Sequence, residues 1–495
     1  MKNALAQRLA AKFGRGPWSS TTRSSVVVLT LLSSALARAE ESWLGMYMQG
    51  VKIGYAGSVA KADKLDGKPA TKYWSINVLK TEMIGSSMEM NLQTSAWTDS
   101  TGKIVRMDSA SSSQGRRQTV SALVKGRKVE VRADNNGAIS TKVLEIPEGL
   151  ELVLDPSESS ASSMVKGLGQ SAKVVIFDPV TVDLVVNEIV SKGPSKVRIG
   201  KDEFAATLVE VRDPRASNRI FYSGKGDLIK IEGPLGIEMF PEARAQAMDF
   251  SKNRGTIDLA EATRITVTPA IVNPDQTDSI TLIAKGMDLS ALPSDPHQTI
   301  TQGKDGWMVQ LHPVRQATGS TRAEAAKLQP DFLKGSMLIP IDDSELTARA
   351  KELAKSETDV LKIAENIRRG VYDQMRPNTG IGVLRDAREV LRTSEGLCRD
   401  HAILCAALMR SAGVPARLVS GLVYQDGAFY FHAWVEAWSG SQWIGFDSTR
   451  PETPISAGHL KIAQGNVEEA FLFRVISGAK MVVTDVKWQA AGGRG

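Results

Sequence analysis

From Ser42 to about Phe250 the chain repeats one short pattern, a few residues of alternating apolar and polar character followed by a turn. Lys128-Val129-Glu130-Val131-Arg132 and Leu228-Ile229-Lys230-Ile231 carry the alternation. Asp99-Ser100-Thr101-Gly102, Lys125-Gly126-Arg127 and Asp134-Asn135-Asn136-Gly137 supply turns. Successive side chains on a strand point to opposite faces, so this pattern commits each segment to a half-buried strand rather than a helix. Joined by tight turns, the segments predict a long antiparallel meander. The Asp134 cluster lacks the later ligands of a calcium loop and reads as a turn.

At 495 residues the chain exceeds one compact core and is expected to form two or three domains. Behind the first β region (residues 40–255) a second one follows, with Arg264-Ile265-Thr266-Val267 and Ser279-Ile280-Thr281-Leu282-Ile283 as strands. It predicts a small sandwich-like module over 256–335, in which His297 and His312, each alone, read as ordinary surface or loop histidines. The pattern changes at about Ile341. Asp343 and Asp359 cap two helices, and the second lines up Val360, Ile363, Ala364, Ile367 and Val371 on one face. A third helical piece carries Ala387, Val390 and Leu391. Gly396 then breaks the pattern before a helix from Cys398 to Ser411, which stops at Gly413 and Pro415. Strands follow over Ala416–Tyr424, Phe429–Trp438 and Gln442–Phe446. Residues 336–475 therefore read as an α+β domain, and 476–495 as a C-terminal tail.

The formal charge of +6 suggests a basic protein, but residues 1–39 hold six basic residues and no acids. Taking these from the 61 Lys and Arg leaves 55 against 55 acids, a neutral chain with no electrostatic footprint for nucleic acid. Residues 1–39 read as an export signal: a basic stretch, the apolar run Val26–Leu32, and the small-residue pattern Ala37-Arg38-Ala39. An uncleaved anchor is the alternative. The apolar stretch falls short of the roughly 20 residues that span a bilayer, and no later stretch reaches it. The expectation is an exported chain, periplasmic or secreted, without a stable membrane span after signal cleavage.

Cys398 and Cys405 are the only cysteines. Seven residues of one helix rise about 10 Å, whereas a disulfide needs Cα atoms within about 7 Å. Cys398 opens its helix, where unpaired amides and the helix dipole favour an ionised thiol. Cys405, among Leu404, Ala406 and Leu408, reads as a core residue, and His401 as a capping or supporting residue. A hairpin turn at Gly440-Ser441 pairs Ser439 with Gln442. That register carries on to His432 facing Thr449, with Asp447 as diagonal neighbour on the same face, about 7–8 Å away at Cα. The turn at Asp426-Gly427 places Gly421 opposite His432, an open spot beside the imidazole, and Arg417 opposite Glu436. No two histidines are spaced like metal ligands, so neither metal nor cofactor is expected.

The run Gly396-Leu397-Cys398-Arg399-Asp400-His401-Ala402, then Ala412-Gly413-Val414-Pro415-Ala416-Arg417, Gly421, His432-Ala433-Trp434-Val435-Glu436 and Asp447-Ser448-Thr449 resembles the transglutaminase-like superfamily. The resemblance covers about a quarter of the chain, from Asp343 to Gly465. It implies a papain-like fold and a Cys-His-Asp triad, with Cys398 attacking a carbonyl carbon, His432 moving the proton and Asp447 orienting the imidazole. Leu397 departs from the acidic or small polar residue often found there, and Ser448 from a frequent proline. His459 resembles a family position of structural character. The triad that the resemblance implies does not separate hydrolysis from transfer; because water is always present and nothing marks an amine site, the expectation is a cysteine hydrolase, a protease or amidase, acting on a peptide or protein substrate with the cell envelope as one source. A transamidase with an amine acceptor, or a non-catalytic peptide-binding or scaffold protein, is the alternative.

Overall fold

The computed structural model describes residues 41–488 apart from 156–168, 214–216, 254, 287, 317, 380–381, 452–454 and 471–479. The export signal expected over 1–39 and the Ser-rich run near 157–163 lie outside the described residues. The fold is mainly β, with two large sheets and few helices.

The alternating segments form one sheet of 14 strands. Eight run as a meander: β1 (Glu41–Met48), β2 (Val51–Leu65), β3 (Lys68–Met83), β4 (Ser86–Thr98), β5 (Ile104–Ser113), β6 (Arg116–Lys125), β7 (Lys128–Asn135) and β8 (Ala138–Glu145). Six more return: β9 (Ser171–Asp178), β10 (Asp183–Ile199), β11 (Asp202–Arg212), β12 (Ser217–Tyr222), β13 (Leu228–Glu232) and β14 (Ile237–Pro241). The two runs are joined in the middle by antiparallel pairing of β1 with β14, Met46 facing Met239. The outermost strands, β8 and β9, then approach each other: Leu144 and Phe177 share one apolar cluster, and Lys142 of β8 reaches Asp183, the first residue of β10, at 3.1 Å. The sheet is therefore curved and nearly closed, which leaves little edge open to pairing with another chain. Within β7, Val129, Val131 and Ala133 are buried while Lys128, Glu130 and Arg132 are exposed, as the alternation requires.

The second sheet has nine strands. Its members are β15 (Ile265–Thr268), β16 (Thr277–Lys285), β17 (Gln298–Gly303), β18 (Gly306–Leu311), β19 (Ala416–Gln425), β20 (Ala428–Trp438), β21 (Trp443–Phe446), β22 (His459–Gly465) and β23 (Lys480–Trp488). The segment expected to be a separate sandwich is instead continuous with the strands that follow Cys398. β15 pairs with β20 through Ile265–Phe429, and β23, in the stretch expected as a tail, lies between β15 and β16.

Four helices, α1 (Ser344–Ala354), α2 (Val360–Gln374), α3 (Ala387–Thr393) and α4 (Cys398–Ser411), pack between the sheets. The Asp343 carboxylate accepts from the amides of Glu345 and Leu346, and Asp359 from those of Leu361 and Lys362, so both expected caps form. One apolar core runs from Met46, Met90 and Leu92 of the first sheet into Ile367, Val390 and Leu404 of the helices. Arg116 of β6 clasps the helical layer, with Nη1 2.5 Å from Glu389 and Nη2 on Glu395. Among the described residues no helix is long and apolar enough to cross a membrane.

Candidate active site

The path into α4 is set by close packing before it. Gly396 has φ +156°, and a Cβ there would lie 2.5 Å from Arg385 Nη2 and 2.6 Å from Asp400 Cβ, so a larger residue would collide with the helix start. Asp400, in the first turn, accepts the Leu397 amide at 2.8 Å, and Arg385 Nε donates to its other oxygen at 3.2 Å. Burial alone would raise the Asp400 pKa; Arg385, Arg399 and the Leu397 amide outweigh it and hold the carboxyl below its ordinary range. Arg399 donates to the carbonyls of Gly382 and Val383. Cys398 is thereby fixed at the first position of α4 and is fully buried, at 0% exposure.

The hairpin register expected for His432 is present. Gly421 faces His432 and Arg417 faces Glu436 across β19 and β20. Val435 faces Phe446 across β20 and β21, after which the chain leaves the strand, and the Asp447 side chain turns back onto the ring. His432 Nε2 lies 2.8 Å from Asp447 Oδ2. The same imidazole is hydrogen-bonded to the Cys398 side chain. Thr449 donates to Asp447 Oδ1 from its amide at 2.9 Å and its hydroxyl at 2.7 Å, which locks the carboxylate plane. Burial would lower the His432 pKa, but the charge and hydrogen bond of Asp447, with the contact to Cys398, raise it to about 10. Asp447 is pulled well below the ordinary carboxylate range: burial opposes, and the two imidazoles beside it prevail.

The second imidazole is the feature the sequence pattern underrated. His459 Nε2 lies 3.2 Å from the same Asp447 Oδ2, so two rings from strands far apart in sequence converge on one oxygen. His432, Asp447 and His459 offer ligand atoms within 4.8 Å of one another, the arrangement a metal ion could use. The expectation that no histidines converge in this way is corrected. The pairs nevertheless sit at hydrogen-bond separations, and an ion there would take the His432–Asp447 bond apart.

Other expectations sort as follows. The spot beside His432 opposite Gly421 is filled, because a Cβ on Gly421 would meet the Leu460 carbonyl at 2.1 Å and the Trp434 ring at 2.6 Å. Trp434 stacks on His432 with centroids 6.2 Å apart and planes at 25°. His401 Nδ1 bonds the Ser448 carbonyl at 2.9 Å, a supporting role one turn from Cys398. Cys405 is free and buried, and burial pushes its thiol up to about 12. His312 is exposed, but His297 is not a surface residue. Its ring is buried and bonds the His459 carbonyl at 2.7 Å, which braces β22.

These buried rings make stability pH-dependent. Desolvation lowers the pKa of His297 to about 4, and it also lowers those of His401 and His459. Each folded value lies below the unfolded one, so the stability they allow is complete above about 6.5 and is lost as pH falls, through about 4 for His297. His432 has the opposite sign: its contribution is complete below about 6.5 and is lost as pH rises through about 10. The urea midpoint is expected to fall on both sides of neutrality. In His297→Gln the acid limb should flatten, and an unaltered acid limb would remove His297 from this account.

Comparison with known proteins gives the same stretch. Residues 347–448 match the family model described as the transglutaminase-like superfamily. An uncharacterised protein of Mycobacterium tuberculosis is 24% identical over 185 residues, 32% of this chain and 59% of that protein. The chain thus spans less than two thirds of the mycobacterial relatives it matches. A protein-glutamine gamma-glutamyltransferase of Pseudomonas aeruginosa is 34% identical over 96 residues, covering 17% of this chain and 14% of that enzyme. A solved Cytophaga hutchinsonii protein described as a candidate cysteine protease aligns over 43% of this chain and 87% of its own, at 19% identity and a TM-score of 0.28. Residues 347–448, which include Cys398, His432 and Asp447, are a domain of the transglutaminase-like superfamily.

Proposed function

We propose that the chain is an exported cysteine hydrolase, a protease or amidase, that cleaves peptide or other amide bonds through a thioester on Cys398. The observation that carries this reading is a single imidazole, His432, bonded at once to the Cys398 side chain and to the Asp447 carboxylate. In this mechanism the proton shared by Cys398 and His432 rests on the imidazole, which Asp447 holds in its charged form, and the Cys398 sulfur attacks the carbonyl carbon. The Cys398 amide, at the helix N-terminus, faces the developing oxyanion. His432 returns the proton to the leaving amine as the C–N bond breaks. Water then attacks the thioester, its proton passes through His432 to the sulfur, and the carboxylic acid departs. Asp447 keeps the ring oriented throughout. The helices ahead of β19–β22 suit the papain-like arrangement that the family resemblance implies. The basic, apolar and small-residue pattern of residues 1–39 supports export.

A second reading has its own support. Full burial of Cys398 restricts water, and the matched Pseudomonas protein is named as a glutamyltransferase, so an amine could resolve the thioester instead. The purified chain should be incubated with a peptide library, with and without methylamine, and the products weighed. Hydrolysis predicts carboxylic acids in both samples; transfer predicts methylamides in the second. Cys398→Ser should abolish turnover in either case. Cleavage that persists in Cys398→Ser would sink both.

A further inference from the structure

The first sheet holds a feature that acyl chemistry at Cys398 does not use. Strands β2–β5, with residues 153–155 and 176–179 across from them, enclose a cavity of about 110 Å³. The strand register sorts its wall into rows. Ser58, Ser75, Thr94 and Ser109 face one another in sequence across the four strands, a stripe of hydroxyls crossing the sheet. Three interstrand spacings make that stripe about 14 Å long. Ala60, Tyr73, Ala96 and Met107 form the adjacent row. Asn77 stands on the other side of the stripe, paired with Leu92.

Asn77 is 2% exposed, and its side-chain oxygen has no hydrogen-bond partner. A buried amide oxygen left in this way is costly unless something enters the cavity to donate to it. Among the described residues, the charged side chains along the wall are Asp155 and Asp178, with no Lys or Arg. An anion is therefore disfavoured, and an apolar body with a donor group is favoured.

We infer that this cavity binds an uncharged or cationic small molecule with an apolar body and an N–H or O–H donor directed at Asn77 Oδ1. Its binding is independent of the acyl chemistry proposed for Cys398.

Two single-ring probes sized to about 110 Å³ test this on the full chain by calorimetric titration. Aniline offers one aromatic ring and an N–H donor; sulfanilate adds a negative charge to the same ring. The first should bind saturably at one site and the second at least tenfold more weakly. Asn77→Leu, which keeps the volume and removes the acceptor, should weaken the neutral probe about tenfold while leaving the unfolding midpoint unchanged or raised. Ala96→Phe should abolish binding by filling the cavity. If that variant does not fold, Thr94→Val, close in shape, should still weaken binding severalfold. Equal affinity for the two probes, neutral-probe binding unaltered in Asn77→Leu, or no binding of the neutral probe overturns the proposal.

Discussion

Replacing His432 with alanine is expected to lower kcat/KM for amide cleavage by about 10²–10⁴-fold, the range a positioned acid-base group supplies. The reason is geometric. His432 is the ring that meets both the Cys398 side chain and the Asp447 carboxylate, and His401 is committed to the Ser448 carbonyl. His459 shares Asp447 at 3.2 Å and is the remaining candidate for a substitute base. A His432→Ala variant that keeps more than a tenth of wild-type turnover would move the proton-transfer role to His459. Cys405→Ala serves as the control and should keep turnover, since that thiol is buried in the core of α4 with its pKa pushed up to about 12.

Lys461→Met is expected to cost about 3–5 kcal/mol of folding stability, the usual consequence of removing one partner from buried ion pairs. Lys461 is fully buried on β22, with Nζ 2.5 Å from both Asp295 and Glu436. Glu436 also receives Arg417 at 2.6 Å. Burial works to raise the Glu436 pKa, and Lys461 followed by Arg417 overcomes it, so the carboxylate is charged only because its partners are there. Without the lysine, Arg417 alone must hold a carboxylate that water does not reach. Urea unfolding at pH 7 measures the loss. Adding Glu436→Gln to the variant should recover part of it, because the stranded charge is gone. A loss below about 1 kcal/mol would mean that the cluster behaves like exposed pairs.

The sequence makes local structure legible and long-range pairing much less so. The helix from Cys398 to Ser411 has the expected bounds, because a glycine before it and Gly413 after it are local signals. The β19–β20 hairpin has the expected register, because Asp426-Gly427 fixes which residues face each other. Pairing between β15 and β20 was not legible. Neither was the insertion of β23 between β15 and β16, since strands so distant in sequence share no turn that sets their register. The same limit explains His459. Its neighbours in sequence give no sign that the ring ends on Asp447 Oδ2, which follows from pairing of β22 with β19. His297 looked like a loop histidine because its burial depends on β22 passing over it.

The place of β23 in the second sheet has a consequence for the order of assembly. Residues 480–488 separate β16 from β15, so without them the strands fall into two groups, β16–β18 and β15 with β19–β22. A chain emerging N-terminus first, on the far side of a membrane as the proposed export requires, could complete the first sheet once residue 241 has emerged. The sheet carrying His432 remains in two parts until residue 488 follows. The thiol of Cys398 thus emerges about 90 residues before the scaffold around its partner imidazole is whole.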